Sequence, residues 1–283
     1  MRQRAFMQID VFTDRPFLGN PVAVVLDADG LSSQQMQSIA RWTNLSETTF
    51  VLPATEPGAD YQLRIFTPTS ELPFAGHPTL GSAFAVRRSG RVDRAQARLV
   101  QQCGAGKVSV TVDARADRLW LRLPAAQISP LDTGALAGLA DALGLNAPVE
   151  VTRIDVGPVW LTLELPDAPG VLALKPDMAA LAHWSRDLKA TGVTVFGRCA
   201  PGSAAGYEVR SFAPAFDVPE DPVCGSGNGC VAVALRQRGR GQDYLARQGR
   251  AIGRDGLIAV RFDDAGIEIG GACVCCVEGT LTA

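Results

Sequence analysis

The sequence is poor in histidine, in excess charge of either sign and in long apolar runs. It has 283 residues, a formal net charge of −2 and only two histidines, His77 and His183. This balanced charge lacks the excess of basic residues that is typical of proteins that bind nucleic acid or an anionic membrane surface. No stretch approaches the roughly 18 apolar residues of a membrane span, and the charged first residues contain no signal-peptide core. We therefore expect a cytoplasmic protein that binds neither nucleic acid nor membrane.

The cysteines argue against a disulfide scaffold and against a metal site. Their number, seven, is odd for a framework of paired cysteines. Cys273, Cys275 and Cys276 lie in an apolar, strand-like stretch, in which successive side chains face opposite ways. Two histidines in the whole chain do not complete a zinc ligand set. We expect reduced, packed cysteines and no metal.

The sequence does contain an internal repeat. Residues 61–68 read YQLRIFTP and residues 207–214 read YEVRSFAP, an offset of 207 − 61 = 146. Farther on, ELPFAGHPTLGSAFAVRR from Glu71 matches EDPVCGSGNGCVAVALRQ from Glu220, an offset of 220 − 71 = 149. Such a period is too long for a solenoid and fits two similar lobes of ordinary domain size.

Each lobe is predicted to combine strands with a few helices. Alternating and β-branched residues predict strands at 48–53, 61–67, 119–123, 159–165, 193–197 and 258–262. Apolar periodicity and capping signals predict helices at 32–44 (capped by Ser32 or Ser33), 78–90, 131–145 and 225–239. Long stretches of strands with few helices indicate the α+β class. Because the helices at 78–90 and 225–239 are rich in small residues, we expect each to lie inside a curved sheet.

Two glycine-rich turns carry the candidate chemistry. Each leads into a helix N-terminus, where free backbone N–H groups and the helix dipole attract anions. If the lobes face each other, the two turns converge on one cleft that suits a small carboxylate. The second turn lacks the lysine of a P-loop, and neither turn matches the dinucleotide fingerprint. The alternative is that the glycines only permit tight turns and close packing.

Ionisable and polar side chains gather at the same turns, which packing alone would not explain. These are His77 in the first turn and Asp221 and Ser226 in the second. Glu47 begins a predicted strand, and the counterpart segment TGVTVFG has no acid. Glu47 could be an exposed strand-end carboxylate or part of an N-cap with Ser46. Facing an apolar cleft instead, it would have a raised pKa and could move a proton between carbons.

Four motifs together resemble the PhzF-like isomerase family, named for phenazine biosynthesis. They are GNPVAVVL, NLSETTFV, RIFTPTSELPFAGHPTLG and YEVRSFAPAF…EDPVCGSGNG, and the resemblance extends to the last residues. It implies the diaminopimelate epimerase-like fold, with two pseudo-symmetric lobes, each a curved, mostly antiparallel sheet around a central helix. The lobes would be 1–124, joined by a returning strand at 272–283, and 125–271. The resemblance also implies a homodimer that uses no cofactor.

The resemblance assigns roles to individual residues. Glu47 would be the acid/base that moves a proton between carbons, and His77 and Asp221 would position groups or relay protons. Gly76, Gly225, Ser226 and Cys224 would line the site and bind a carboxylate substrate, partly through backbone N–H groups.

One departure leaves alternatives open. PhzF-like proteins commonly carry threonine where this chain has Cys224, whereas related racemases carry a catalytic cysteine in each lobe. The partner position here is Ala75, which argues against a two-thiol racemase. At a helix N-terminus Cys224 is expected to have a lowered pKa and could pair with Glu47. The alternatives to a PhzF-like isomerase are therefore an amino-acid epimerase or racemase using Cys224, and a non-catalytic protein that binds a small acid.

Overall fold

The chain folds into two compact units. The computed structural model describes residues 1–131, 138–145 and 149–283. One unit contains Met1–Leu121 and Gly270–Ala283, and the other contains Arg122–Ile269. The boundaries expected from the sequence, at residues 124 and 271, lie a few residues from these divisions.

The first unit is one sheet with two helices. Its strands, in chain order, are β1 (Gln3–Val11), β2 (Asn20–Val25), β3 (Thr48–Leu52), β4 (Tyr61–Phe66), β5 (Glu71–Leu72), β6 (Arg98–Cys103), β7 (Gly106–Asp113), β8 (Arg118–Arg122) and the C-terminal β18 (Cys273–Thr282). Its helices are α1 (Ser33–Thr43) and α2 (Gly76–Arg88). The sheet order is β18-β1-β2-β3-β4-β6-β7-β8, and the short β5 also pairs with β4.

The second unit repeats this plan. Its strands are β9 (Gln127–Ser129), β10 (Val151–Asp155), β11 (Val159–Asp167), β12 (Gly192–Arg198), β13 (Tyr207–Ala213), β14 (Val218–Asp221), β15 (Tyr244–Gln248), β16 (Gly256–Asp263) and β17 (Gly266–Gly271). Its helices are α3 (Leu139–Ala142), α4 (Ala168–Ala173), α5 (Met178–Asp187) and α6 (Gly225–Gln237), with 3₁₀ turns at Pro214–Phe216 and Arg250–Ile252. The order β9-β10-β11-β12-β13-β15-β16 has β14 paired to β13.

The two units have parallel strand pairs at matching positions of their mostly antiparallel sheets. Most neighbouring strands are antiparallel, but β2 and β3 are parallel, as are β4 and β6. The matching pairs in the second unit, β11–β12 and β13–β15, are also parallel. In each unit a 13-residue helix, α2 or α6, follows the short strand β5 or β14. The predicted α+β class and its two similar lobes are confirmed.

The predicted central helix is present in each unit. Helix α2 contacts β1, β2, β3, β4, β6 and β18, so the sheet curves around it. Helix α6 contacts β10, β11, β12 and β16 in the same way. Small residues allow this close approach: a Cβ added to Gly81 would lie 2.4 Å from Val22 Cγ1. One added to Gly229 would lie 2.6 Å from Leu123 Cδ1.

The outer faces of the sheets are covered by other helices. In the first unit, α1 packs Met36 and Ala40 against Phe50 and Phe66, whose rings meet edge to face at 5.4 Å. In the second, residues of α3, α4 and α5 pack with those of β11, β12 and β13. Strands buried on both faces read as continuous apolar runs, which explains segments such as VAVV in β2.

The predicted strands and the helices predicted at 32–44, 78–90 and 225–239 are present in the structure, whereas the helix predicted at 131–145 is helical over four of its described residues. The six predicted strands form β3, β4, β8, β11, β12 and β16. Ser32 is the N-cap of α1, accepting a hydrogen bond from the Gln35 N–H in a capping box. Of the helix predicted at 131–145, Leu139–Ala142 is helical, and residues 132–137 lie outside the described residues. No helix within the described ranges is long and apolar enough to cross a membrane.

Candidate active site

Glu47 is held at the entrance to β3, in the first unit. Its carbonyl oxygen accepts a hydrogen bond from the Ala23 N–H of β2 at 3.4 Å. No helix begins at Ser46, so the N-cap alternative is wrong. The side chain of Glu47 is 16% exposed, so it is not an exposed strand-end carboxylate either. The Glu47 carboxyl group lies largely inside the unit with limited access to solvent.

His77 faces this carboxyl group from the first turn of α2. Its Nε2 lies 3.3 Å from Glu47 Oε2, and its side chain is 9% exposed. The imidazole also hydrogen-bonds to the backbone carbonyl of Pro21, the second residue of β2. Because Nε2 has no hydrogen-bond partner within the described residues, this bond uses Nδ1–H. Three elements, β2, β3 and α2, therefore fix one histidine against one glutamate.

The protonation state of His77 follows from its surroundings. Burial lowers its pKa to about 3, although the hydrogen bond to the Pro21 carbonyl opposes this shift. The imidazole is therefore neutral at ordinary pH, with its proton on Nδ1 and a lone pair on Nε2. The 3.3 Å contact is then not an ion pair. A proton on the Glu47 carboxyl would supply the donor that the Nε2 lone pair needs.

The corresponding turn of the second unit holds a different set of side chains. Asp221 is the last residue of β14, and Cys224 is the N-cap of α6. The Cys224 Sγ accepts a hydrogen bond from the Gly227 N–H at 3.3 Å. Asp221 Oδ1 accepts one from the Val223 N–H at 3.1 Å. Side chains of the turn from β14 into α6 thus accept hydrogen bonds from backbone N–H groups of the same turn.

Burial raises the pKa of Asp221 to about 6. Hydrogen bonds from the Cys224 thiol and the Val223 N–H favour the ionised form, and the neighbouring Glu220 charge opposes it. Burial is the largest of these effects. A carboxyl group that changes charge this close to neutrality can exchange a proton under mild conditions.

The expectation that Cys224 has a lowered pKa is wrong. Burial raises the pKa of its thiol well above the usual value, and the nearby Asp221 charge adds to the rise. The thiol donates to Asp221, while hydrogen bonds from Ser226 and the Gly227 N–H only partly compensate. With 4% of the residue exposed, desolvation outweighs the helix N-terminus. Cys224 is a protonated hydrogen-bond donor.

Trp160 is part of this second group, and the sequence motifs did not identify it. Its indole Nε1–H donates to Ser226 Oγ at 3.0 Å. Ser226 Oγ lies 3.6 Å from Cys224 Sγ. Because the thiol hydrogen is donated to Asp221, the serine hydroxyl is the donor to the sulfur. A chain of donors therefore runs from Trp160 through Ser226 and Cys224 to Asp221. Trp160 is 66 residues from Ser226, and no local pattern marks this contact.

The structure thus groups the predicted residues by unit. In the first unit Gly76 is the first residue of α2, beside His77 and hence near Glu47; a Cβ added to Gly76 would meet no atom within 4 Å. In the second, Asp221, Cys224, Gly225 and Ser226 lie together at the start of α6.

The two units differ at the position that Glu47 occupies. Thr48 begins β3 opposite Ala23, and Gly192 begins β12 opposite Trp160. The residue matching Glu47 is therefore Thr191, whose Oγ1 accepts a hydrogen bond from the Val159 N–H at 3.2 Å. The strand-entry acid exists in the first unit only, as the sequence predicted.

The cysteines near the C-terminus lie in β18, and all are free thiols. Among the described residues, no group of three or more histidine, cysteine, aspartate or glutamate side chains is arranged to hold a metal ion.

The chain is similar in sequence and in structure to known proteins. The chain is 42% identical over 295 residues to "Antisense-enhancing sequence 1" of Schizosaccharomyces pombe, covering 99% of each protein. It is 36% identical over 289 residues to trans-2,3-dihydro-3-hydroxyanthranilate isomerase of Pseudomonas aeruginosa, covering 97% of this chain and 98% of that protein. The crystal structure of a PhzF-family phenazine biosynthesis protein from Bacillus anthracis superposes with a TM-score of 0.87 at 25% identity over the whole of both chains.

The fold and these relatives define an enzyme of the isomerase class. The PhzC-PhzF family model, described as phenazine biosynthesis-like protein, matches residues 9–279, and the chain belongs to that family.

Proposed function

We propose that this isomerase moves a proton between carbons of a small carboxylate-bearing substrate, with Glu47 as the acid/base and without a cofactor. The observation that carries the proposal is the contact of 3.3 Å between Glu47 Oε2 and the Nε2 of a neutral His77. A carboxyl group next to a fixed hydrogen-bond acceptor has a defined orientation in its protonated form. Such a group can hold a proton between its removal and its return.

The proposed reaction needs no proton acceptor or donor other than Glu47. The ionised carboxylate takes a proton from an acidified carbon: the C–H bond breaks, its electron pair moves into the conjugated system of the substrate, and an O–H bond forms on Glu47. The same proton then returns to another carbon, a new C–H bond forms, and Glu47 is ionised again. No net electron is gained or lost, so this step requires no oxidant or reductant.

His77 acts in this scheme as a positioning residue. Its pKa of about 3 disfavours an imidazolium intermediate, which argues against the proton relay predicted from the sequence. Its Nε2 lone pair can accept a hydrogen bond from protonated Glu47, while the Pro21 carbonyl holds the other nitrogen. This arrangement fixes the tautomer and the ring orientation together.

The substrate class rests on the relatives and on the two helix N-termini. A named relative acts on trans-2,3-dihydro-3-hydroxyanthranilate, which makes a cyclic unsaturated amino acid the first candidate here. Gly76, Gly225 and Ser226 remain the proposed carboxylate-binding residues, with Asp221 as a further proton donor or acceptor. Backbone N–H groups at helix N-termini suit such an anion.

A racemase that uses Cys224 as its base receives less support. A thiol with a raised pKa that donates its hydrogen to Asp221 is a poor base. Its counterpart Ala75 supplies no side-chain cap to α2. Cys224→Thr should therefore retain activity, whereas a Cys224-dependent racemase would lose it.

The test is incorporation of deuterium from heavy water into a panel of substrates, followed by mass spectrometry. The panel contains amino acids, cyclic unsaturated amino acids and dihydro-hydroxyanthranilate-like acids. We expect label with wild type and none with Glu47→Gln. Glu56→Gln is the matched control, since Glu56 is exposed and pairs with Lys107 at 3.7 Å.

Label with Glu47→Gln equal to wild type would overturn the assignment of the acid/base. Ligand binding by both proteins without any exchange would instead favour the small-acid binding protein. Light scattering after size exclusion would test the proposed homodimer, and cell fractionation the proposed cytoplasmic location.

A further inference from the structure

The second unit has a surface cavity of about 350 Å³ that the proposed chemistry does not use. We name it the α5 pocket. It lies between the C-terminal end of α5, the start of β11 and the 3₁₀ turn after β13. Its lining residues include Val159, Lys189, Ala190, Thr191 and Phe216. The volume falls within the range of about 300–1,000 Å³ typical of small-molecule sites.

Among the residues that the structure describes, two cationic side chains and no acidic one line the α5 pocket. Arg186 and Lys189 line it and are exposed, and neither pairs with a carboxylate in the described part of the chain. The nearest acid on the same helix is Asp187, whose Oδ2 lies 3.0 Å from His183 Nε2. Arg153 adds another cation, since its guanidinium approaches the Lys189 carbonyl at 3.5 Å. The pocket therefore favours an anion.

Lys189 occupies an unusual backbone position. It follows the end of α5 with a φ of +50°, in the left-handed region. Its N–H donates to the Arg186 carbonyl, and the next N–H, of Ala190, donates to the Ser185 carbonyl. This is a Schellman motif, whose left-handed position normally holds glycine because a Cβ is disfavoured there. Because glycine would avoid this strain, a lysine at this position beside a cavity indicates that its positive charge has a role in the cavity.

An aromatic ring forms another part of the rim. Phe216 is 63% exposed, and it lines the α5 pocket. The next residue, Asp217, has a φ of +60° and ends the 3₁₀ turn that presents the ring. Val159 and Ala190 are apolar residues that also line the pocket. A flat ring with one negative group would contact the ring of Phe216 and the cations at the same time.

We propose that the α5 pocket binds a ring-bearing monocarboxylate, with Lys189 pairing to the carboxylate and Phe216 stacking on the ring. This site is built entirely from the second unit and does not depend on Glu47. Ligand binding there is therefore separable from the proposed proton transfer.

Benzoate is the probe, and titration calorimetry with amide chemical shifts is the measurement. Benzamide keeps the ring without the charge, and acetate keeps the charge without the ring. We expect benzoate to bind. Benzamide and acetate should each bind at least about tenfold more weakly than benzoate. Lys189→Met and Phe216→Ala should each weaken benzoate binding, the former by about tenfold. Lys107→Met, which removes an exposed lysine of the first unit, and Glu47→Gln should leave it unchanged.

Lys189→Gly provides a second, independent readout. It removes the cation and relieves the left-handed strain, so the thermal midpoint should rise while benzoate binding is lost. A misfolded variant could not produce this pair of results. Absence of benzoate binding to wild type, equal binding of benzamide, or benzoate binding unaffected by Lys189→Met would each overturn the proposal.

Discussion

Arg210 and Glu220 form a two-point ion pair inside the second unit, with Nε–Oε1 and Nη2–Oε2 distances of 2.9 and 2.8 Å. Their side chains are 7% and 6% exposed. Arg64 and Glu71 form the same pair at the matching positions of the first unit, but with side chains 24% and 42% exposed. Each arginine also stacks on the phenylalanine two residues later, at 4.9 and 5.1 Å. The Y-x-x-R-x-F motif thus fixes the short strand that leads into each central helix.

The different burial of these two pairs predicts different costs of mutation. Glu220→Gln should lower the free energy of unfolding by about 3–5 kcal/mol, because it leaves Arg210 charged and buried. Glu71→Gln, the matched control, should lower it by about 1 kcal/mol or less, since Arg64 remains hydrated. Urea unfolding of the two variants tests this. Equal losses would show that burial does not distinguish the pairs.

Glycine positions on α2 should also differ in tolerance. Gly81→Ala places a Cβ 2.4 Å from Val22 Cγ1 and should cost about 1–3 kcal/mol through overpacking. Gly76→Ala meets no atom within 4 Å and should leave stability unchanged or raise it by up to about 1 kcal/mol. Thermal and urea unfolding measure both. A destabilised Gly76→Ala with an unaffected Gly81→Ala would contradict the packing of α2 inside the sheet.

The buried His77 should make the fold sensitive to acid. Its pKa falls from 6.5 to about 3 on folding, so the unfolded chain binds the proton more readily between these values. Stability should therefore be lost as the pH falls from 6.5 towards 3, and His77→Asn should remove this part of the dependence. The test is the free energy of unfolding against pH for both proteins. NMR signals of His77 that titrate near pH 6.5 would refute the prediction.

Asp221 should change the free energy of unfolding with pH in the direction opposite to His77. Its pKa rises from 3.8 to about 6 on folding, so the folded chain binds the proton more readily in this range. Its contribution to stability is present below pH 3.8 and is lost as the pH rises to about 6. The wild-type free energy of unfolding, relative to Asp221→Asn, should fall across this window. A flat difference curve would contradict the raised pKa of Asp221.

Cys224 should resist alkylation in the folded protein. Only a thiolate reacts readily, and burial with the Asp221 charge raises the pKa of this thiol well above its usual value. Peptide mapping after iodoacetamide treatment at mildly alkaline pH should find Cys224 unmodified in the native protein and modified in denaturant. Rapid native labelling would restore Cys224 as a candidate base.

Much of the fold was determined by local features of the sequence. The repeated Y-x-x-R-x-F-x-P motif indicated two similar units, and alternating apolar residues predicted β3, β4, β8, β11, β12 and β16. The small residues of α2 and α6 predicted helices enclosed by the sheet. The motif NLSET identified Glu47 as an acid without a counterpart in the second unit. These features depend on neighbouring residues or on repetition, which a sequence displays directly.

The chemical state of the site was decided only by tertiary structure. The lowered pKa expected for Cys224 from its place at a helix N-terminus was wrong, because burial and Asp221 outweigh the helix dipole. The contact between Glu47 and His77 joins residues that are distant in the chain. The hydrogen bond from Trp160 to Ser226 does the same across 66 residues. Desolvation and long-range contacts depend on which surfaces meet after folding, and no local pattern specifies them.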